Sequence, residues 1–270
     1  FIKANTNTNN LAIGTDAGET AQGSIATAVG RQAGQTSQGA SAVAVGNQAG
    51  QTEQGNYAVA IGVQSAQSNQ GTESVAIGHI AGKTSQGNNA VAVGWRAGET
   101  EQGGSATAVG YLAGNSAQGA DATAVGKEAG KTSQGGSTTA VGNAAGNSEQ
   151  GDYATAVGRE AGKTSQGTKA IAVGYLAGSS EQGAVSIAVG NGAGLNAQGA
   201  SAVAVGPDAG KTSQGDYTVA VGRFAGYNAQ VDDATAIGHA AGQISQSSQA
   251  TAVGRAAGYE AQAANATAVG

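Results

Sequence analysis

The sequence contains no cysteine and no methionine, a single proline, and aromatic residues at only 4% of its 270 positions. Each shortage removes a class of protein. Without cysteine there are no disulfide staples, thiolate metal sites or cysteine nucleophiles. Collagen is excluded, because there is one proline and glycine does not recur at every third residue. Charged residues make up 11% of the chain, against about 25% in an ordinary globular domain. The balance is 12 Lys and Arg against 17 Asp and Glu, a net charge of −5, which argues against nucleic acid as a partner. No apolar run approaches the roughly 18 residues that mark a membrane-crossing helix, so no membrane insertion is expected. No basic-then-apolar signal segment opens the sequence. The lack of methionine even at position 1 is what a processed chain or an excised fragment would show.

What the chain has in excess is glycine and alanine, together 108 of 270 residues. Valine and isoleucine recur among them on a strict schedule, which argues against disorder. From Asn9 to Ala264 the sequence is sixteen gapless repeats of 16 residues, and a seventeenth begins at Asn265. Residues 41 to 56 serve as the reference copy, with Ser41 as column 1.

Column 4 is always Ala, column 5 always Val or Ile, and column 6 always Gly. Column 9 is Ala except at Ser65, and column 10 is Gly except at Ala66. Column 14 is Gln in every one of the sixteen complete copies, and column 15 is Gly until Val231, Ser247 and Ala263. Column 3 takes Val, Ile, Leu or Thr, and column 12 is mostly Thr or Ser. Columns 1, 7, 8, 11, 13 and 16 vary and hold nearly all the charge and the aromatics.

Gapless repetition implies one backbone shape repeated, each copy touching its neighbours. Sixteen residues are too few for a helical hairpin repeat, and three glycine columns would each cost a helix about 1 kcal/mol. Columns 1 to 5 alternate and are β-branched at 3 and 5, which predicts a strand. Glycine at column 6 and the Ala-Gly pair at columns 9 and 10 predict turns. Columns 11 to 14 predict a second short strand, and the glycine of column 15 turns the chain back. The expected fold is all-β: a β-solenoid, or parallel β-roll, of sixteen coils with two strands per coil. At about 4.8 Å per coil this is a rod of about 77 Å. Residues 1–8 lie outside the repeat as a lead-in or cap, and 9–270 form the solenoid, less regular from about residue 231.

Alternation puts columns 3 and 5 on one strand face and columns 2 and 4 on the other. Column 5, always apolar, is expected inside the coil. Column 4 should then face outward, where it would drift to polar residues if solvated. Its constancy predicts contact with a neighbouring chain through Ala44, Ala60, Ala76, Ala92, Ala108, Ala124, Ala140, Ala156, Ala172, Ala188, Ala204 and Ala220. The alternative is that alanine merely fits a tight bend. The Gln column predicts an amide ladder along the axis, as in cross-β stacks. It comprises Gln22, Gln38, Gln54, Gln70, Gln86, Gln102, Gln118, Gln134, Gln150, Gln166, Gln182, Gln198, Gln214, Gln230, Gln246 and Gln262.

Motifs of chemistry are absent from the repeat. Gly-Lys-Thr occurs at 82–84, 130–132, 162–164 and 210–212, but the spacing to the preceding glycine is wrong for a phosphate-binding loop. The lysines read as exposed column 11 residues. His79 and His239 share column 7 but lie ten coils apart, about 48 Å. No carboxylate pair recurs for acid–base work. Asn265-Ala266-Thr267 is a lone glycosylation sequon. Tyr57, Tyr153 and Tyr217 in column 1, and Trp95, Tyr111 and Tyr175 in column 7, read as irregular solvated decoration. No catalytic, cofactor or metal site is expected, and the chain reads as not an enzyme.

Strings such as Ser74-Val75-Ala76-Ile77-Gly78 and Ala58-Val59-Ala60-Ile61-Gly62 resemble the head repeat of trimeric autotransporter adhesins, the YadA-like head. They are also similar to fibre repeats of phages and large viruses. The resemblance spans residues 9 to 270. The family's period is 14 rather than 16, and its column 9 residue is Ser, matched here only by Ser65. The resemblance implies a left-handed parallel β-roll, three chains around an axis, and binding to matrix or host surfaces. The expected function is a structural rod, the head or shaft of a surface adhesin or viral receptor-binding fibre. Its partners would be itself, as homotrimer or higher filament, and a host-surface protein or glycan. Its place would be extracellular, at a cell or virion surface. A self-assembling filament subunit is the first rival. The second is an ice-binding solenoid, disfavoured because column 12, its best threonine column, is expected to point inward.

Overall fold

The structure, a computed structural model, describes residues 2–5 and 9–270. The expected lead-in over 1–8 is therefore addressed only through Ile2–Asn5. The described residues form 32 short strands and no helix. The architecture is an all-β parallel β-solenoid of about 16 coils, as the repeat predicts. Label the first four strands β1 (Ile2–Asn5), β2 (Asn10–Ile13), β3 (Thr27–Val29) and β4 (Thr36–Gln38). Each later coil up to the strand at 244–246 repeats the β3 and β4 pattern at columns 3–5 and 12–14, and the last coil keeps only the first strand, with an isolated bridge at Glu260.

The chain divides into two compact units, residues 1–137 and 138–270. In the first unit, one sheet runs from β2 through β3 to the strand at 123–125. Pairing is parallel and column on column: Val91 opposite Thr107, Ala92 opposite Ala108, Val93 opposite Val109. β1 lies antiparallel along β2, with Ile2 opposite Ile13. The other sheet runs from β4 to the strand at 132–134. The second unit repeats both sheets in the same register, with Ala188 opposite Ala204 and Gln182 opposite Gln198. A fixed 16-residue period with no insertion is what allows identical columns to stack.

Two glycine columns set how tightly the coils close. Gly94 of column 6 has φ +131, and a Cβ there would lie 2.5 Å from the Gly110 carbonyl oxygen of the next coil. Gly98 of column 10 has φ +52, and a Cβ there would lie 2.6 Å from Gln102 Oε1. Glycine fits both places without strain. Column 10 admits a Cβ once, at Ala66.

The second strand differs from expectation. Its middle residue, column 13, is left-handed, as at Ser85 (φ 55) and Glu101 (φ 53). The pairing register accordingly skips it: Thr84 pairs with Thr100 and Gln86 with Gln102. The kink turns column 14 inward while column 12 stays at the surface, half-buried or exposed. Column 12 was expected inside. Its threonine hydroxyls instead donate to column 11 carbonyls one coil on, as from Thr52 to Gln67 at 3.2 Å. Columns 1 and 8 are left-handed too, as at Tyr57 (φ 58) and Arg96 (φ 53).

The largest correction concerns inside and outside. The interior is built from columns 2, 4, 9 and 14, mostly alanine and glutamine with Ser65, Ser74, Thr138, Ser186 and Thr218 among them, and contains no valine or isoleucine. Columns 3 and 5 of the first sheet face outward; Ile61 and Ile237 are 39% and 41% exposed. The physical reason is wall separation. Ala204, Ala220 and Ala236 pack on Ala209, Ala225 and Ala241 across the coil. A Cβ added at Gly98 would already lie 3.2 Å from the Ala92 methyl. The gap between columns 4 and 9 admits only a methyl on each wall, so volume overrides hydrophobicity there. Column 2 takes branched Thr138 and Thr218, and the Thr218 hydroxyl donates to the Gly215 carbonyl at 2.8 Å.

Candidate functional site

The predicted Gln ladder runs inside the coils. From Gln38 to Gln246 each Gln of column 14 sits on the second sheet and reaches across to the first. Gln102 is 1% exposed. Its Nε2 donates to the Val91 carbonyl at 2.8 Å, the Ala106 carbonyl at 3.3 Å and Gln118 Oε1 at 3.2 Å. Its own Oε1 accepts from Gln86 Nε2 at 3.1 Å. One amide thus ties the two walls of a coil and two successive coils.

In the first unit the amide-to-amide bonds include Gln22 to Gln38, Gln54 to Gln70, and Gln70 through Gln86 and Gln102 to Gln118. In the second they include Gln166 to Gln182 and Gln214 through Gln230 and Gln246 to Gln262. Gln134, Gln150 and Gln198 keep the bond to the facing wall, at 3.0, 3.1 and 2.8 Å. The ladder has breaks: Oε1 of Gln54, Gln166, Gln198 and Gln214 is buried without a donor. The coil-spanning bond to column 3 is the constant feature and the axial bond the variable one.

The alanines assigned to a subunit interface lie elsewhere. Ala44, Ala60, Ala76, Ala92, Ala108, Ala124, Ala140, Ala156, Ala172, Ala188, Ala204 and Ala220 are all fully buried within their own coil. None reaches a surface that a neighbouring chain could touch. Nor do they sit in a bend, the alternative reading: each is the middle residue of a strand, and the narrow interior accounts for their constancy.

Two columns that look independent in the sequence are coupled in space. Columns 8 and 11 meet across the corner that follows the first strand. Lys163 Nζ lies 3.0 Å from Glu160 Oε2, and Lys211 Nζ lies 3.0 Å from Asp208 Oδ1. Lys131 lies 3.8 Å from Glu128. Arg96 and Glu99 make the same pair with signs exchanged, Nη2 to Oε1 at 3.1 Å. Phe224 and Tyr227 meet there edge to face, with centroids 5.5 Å apart. The hydrogen bond from Lys163, with the charges of Lys163 and Arg159, holds the Glu160 carboxyl below its ordinary range, against the opposing effect of burial. The hydrogen bond to Asp208 raises the Lys211 ammonium above its ordinary value. Three of the four Gly-Lys-Thr lysines are therefore corner ion-pair partners. The signal was an acid three residues before each of these lysines.

The aromatics of column 7 are more ordered than decoration. Trp95 and Tyr111, on successive coils, stack with centroids 4.7 Å apart and planes tilted by 9°. The Arg96 guanidinium lies 5.1 Å from the Trp95 ring, and Lys127 Nζ lies 6.0 Å from the Tyr111 ring. Each ring thus has the other ring and a cation as neighbours, and both remain exposed at the surface. His79 and His239 are exposed, and His239 packs edge-on to Phe224. Among the described residues no group of three His, Cys, Asp or Glu could hold a metal, and no helix is long and apolar enough to cross a membrane.

No protein-family model matches this chain, and no curated protein matches it by sequence.

Proposed function

We propose that the chain is a non-enzymatic structural element, the head or shaft of a surface adhesin or of a viral receptor-binding fibre. Such a protein would act outside the cell, at a cell or virion surface, as a homotrimer or larger assembly. The observation that supports this reading is the division of labour among columns. Columns 2, 4, 6, 9, 10 and 14 are consumed by the interior and the corners. The variable columns 1, 7, 8, 11, 13 and 16 stand on the corners and on the second sheet. A scaffold that repeats its interior and varies its rim suits display, in which weak repeated contacts add up by multivalency. The head-repeat resemblance at 74–78 and 58–62 points the same way. The partner of the rim would be a host-surface protein or glycan.

The test is binding of the purified chain to arrays of matrix proteins and glycans. The expected result is saturable binding weakened by Trp95→Ala with Tyr111→Ala. Absence of binding, with fibres that lengthen with concentration, would favour the filament reading, which draws on the identity of successive coils. The ice-binding reading gains one observation: threonines of columns 3 and 12 both stand at the surface. Thermal hysteresis of the chain would favour it over both.

A further inference from the structure

We propose that the outward face of the first sheet, columns 3 and 5, is the surface by which copies of this chain associate, a second copy laying the same face against it. The inference rests on reading the molecule as a structural assembly, and locates the contact that such an assembly needs. It replaces the column 4 contact, which the interior position of those alanines removes.

The first argument is charge. Across seventeen copies, columns 3 and 5 hold only Val, Ile, Leu and Thr, with no Lys, Arg, Asp or Glu. The face is nevertheless outward: Leu11, Ile61, Ile77, Ile171, Ile237 and Val253 are 37–41% exposed. A solvated face of this length would take up charge somewhere, as surfaces do. The second argument is the contrast with the other sheet of the same coils. Its outward column 13 carries exposed Glu53, Glu101, Glu149 and Glu181. That sheet stacks in register without any apolar ladder. Coil stacking therefore does not by itself require branched apolar residues on an outer face.

The third argument is area and shape. The first unit contributes eight such strands and the second nine. Eight strands at about 4.8 Å, two columns wide or about 10 Å, present about 400 Å² per unit. Two such faces laid together bury about 800 Å² in all, so the faces of both units of a chain must engage to reach the size of a standard stable interface. Straight ladders of Val, Ile and Thr are self-complementary, since two such sheets can close dry at about 10 Å separation. No charge has to be desolvated to bring them together.

The experiment is the solution mass of the full chain by light scattering at about 100 μM, well above the dissociation constants of interfaces this size. Two or three times 25.6 kDa is expected. Val45→Lys with Val93→Lys, and separately Val157→Lys with Val205→Lys, should return the mass to one chain. Ser37→Lys with Ser85→Lys, on the second sheet, should leave it unchanged. Wild-type protein that is monomeric at this concentration overturns both the association and the assembly reading. An oligomer that survives the lysine pairs, with coil content intact by circular dichroism, overturns this face alone.

Where the lysine pairs fail to fold, cysteine labelling decides, since the chain has no cysteine of its own. Val93→Cys should react with a maleimide at least about tenfold more slowly at high than at low protein concentration, by mass action. Ser85→Cys should react at a rate independent of concentration. Equal behaviour at the two positions overturns the proposal. A monomer that shows thermal hysteresis assigns the face to ice instead.

Discussion

Gln102→Glu changes one atom type inside the solenoid and tests the central physical statement, that column 14 glutamine holds the two walls together through its Nε2. The wild-type Nε2 faces three oxygens, the Val91 and Ala106 carbonyls and Gln118 Oε1, at 2.8, 3.3 and 3.2 Å. A carboxylate there would set four acceptors against one another in a dry space. The glutamate therefore takes a proton in the folded state. Holding a carboxyl of ordinary pKa near 4.3 protonated at neutral pH costs about 3.7 kcal/mol, at 1.36 kcal/mol per pH unit. The neutral acid supplies one O–H in place of the amide's two N–H donors and keeps one of the three contacts, so two lost contacts at about 1 kcal/mol each add about 2 kcal/mol. The expected loss is therefore about 4–6 kcal/mol near pH 7 and about 2 kcal/mol near pH 4. The sign follows from linkage: the folded-state pKa is raised, so stability is present below the unfolded pKa and lost as pH rises. Gln102→Leu, which keeps volume and removes the amide, should cost about 3 kcal/mol with no pH dependence, mainly from the orphaned Gln118 oxygen and the lost carbonyl bonds. Urea midpoints by far-ultraviolet circular dichroism at several pH values read both. A Gln102→Glu protein that loses under about 1 kcal/mol near pH 7, or whose loss is not relieved near pH 4, refutes the reasoning.

Four further outcomes follow from the same geometry. Gly94→Ala should abolish folding or cost more than about 3 kcal/mol, because its Cβ would lie 2.5 Å from backbone at φ +131. Gly104→Ala, where the nearest atom would be 3.6 Å away, should be neutral or gain up to about 1 kcal/mol, both read by thermal melts. Ala66→Gly should stabilise by about 0.5–1 kcal/mol in urea titration, since Ala66 sits at φ 42, in the left-handed region where a Cβ is disfavoured. Glu160→Gln should cost no more than about 0.5 kcal/mol near pH 7, because Lys163 is 41% exposed and screened. Its folded pKa is lowered, so this contribution is present above the ordinary carboxylate range and vanishes as pH falls through the folded value. A wild-type-minus-variant difference that persists near pH 2 counts against the pair.

The repeat made the fold class legible because sixteen gapless copies average away local ambiguity: a period without helical meaning, β-branched residues at columns 3 and 5, and glycine at the corners admit few architectures. The glutamine column was legible for the same reason, since an amide in every complete copy has little to do except bond its own kind and nearby backbone. Strand alternation also grouped columns 3 with 5 and 2 with 4 from sequence alone.

Which group faced inward depended on the distance between the coil walls, a tertiary quantity. Transfer free energy favours burying valine, but methyls of columns 4 and 9 already fill the gap, so Ala108 is inside and Val109 outside. The kink at column 13, which sends Gln86 inward and leaves Thr84 at the rim, carries no glycine to announce it. Column 1 has no glycine either and column 8 has only Gly192, while Tyr57 and Arg96 occupy a conformation their side chains do not favour. The pairing of Glu160 with Lys163 became visible only once the corner folded back on itself. The sequence by itself determined the repeat, the coil and the ladder, because those are written in period and residue type. The tertiary structure decided which face met water, because volume across the coil, not hydrophobicity along the strand, set the limit.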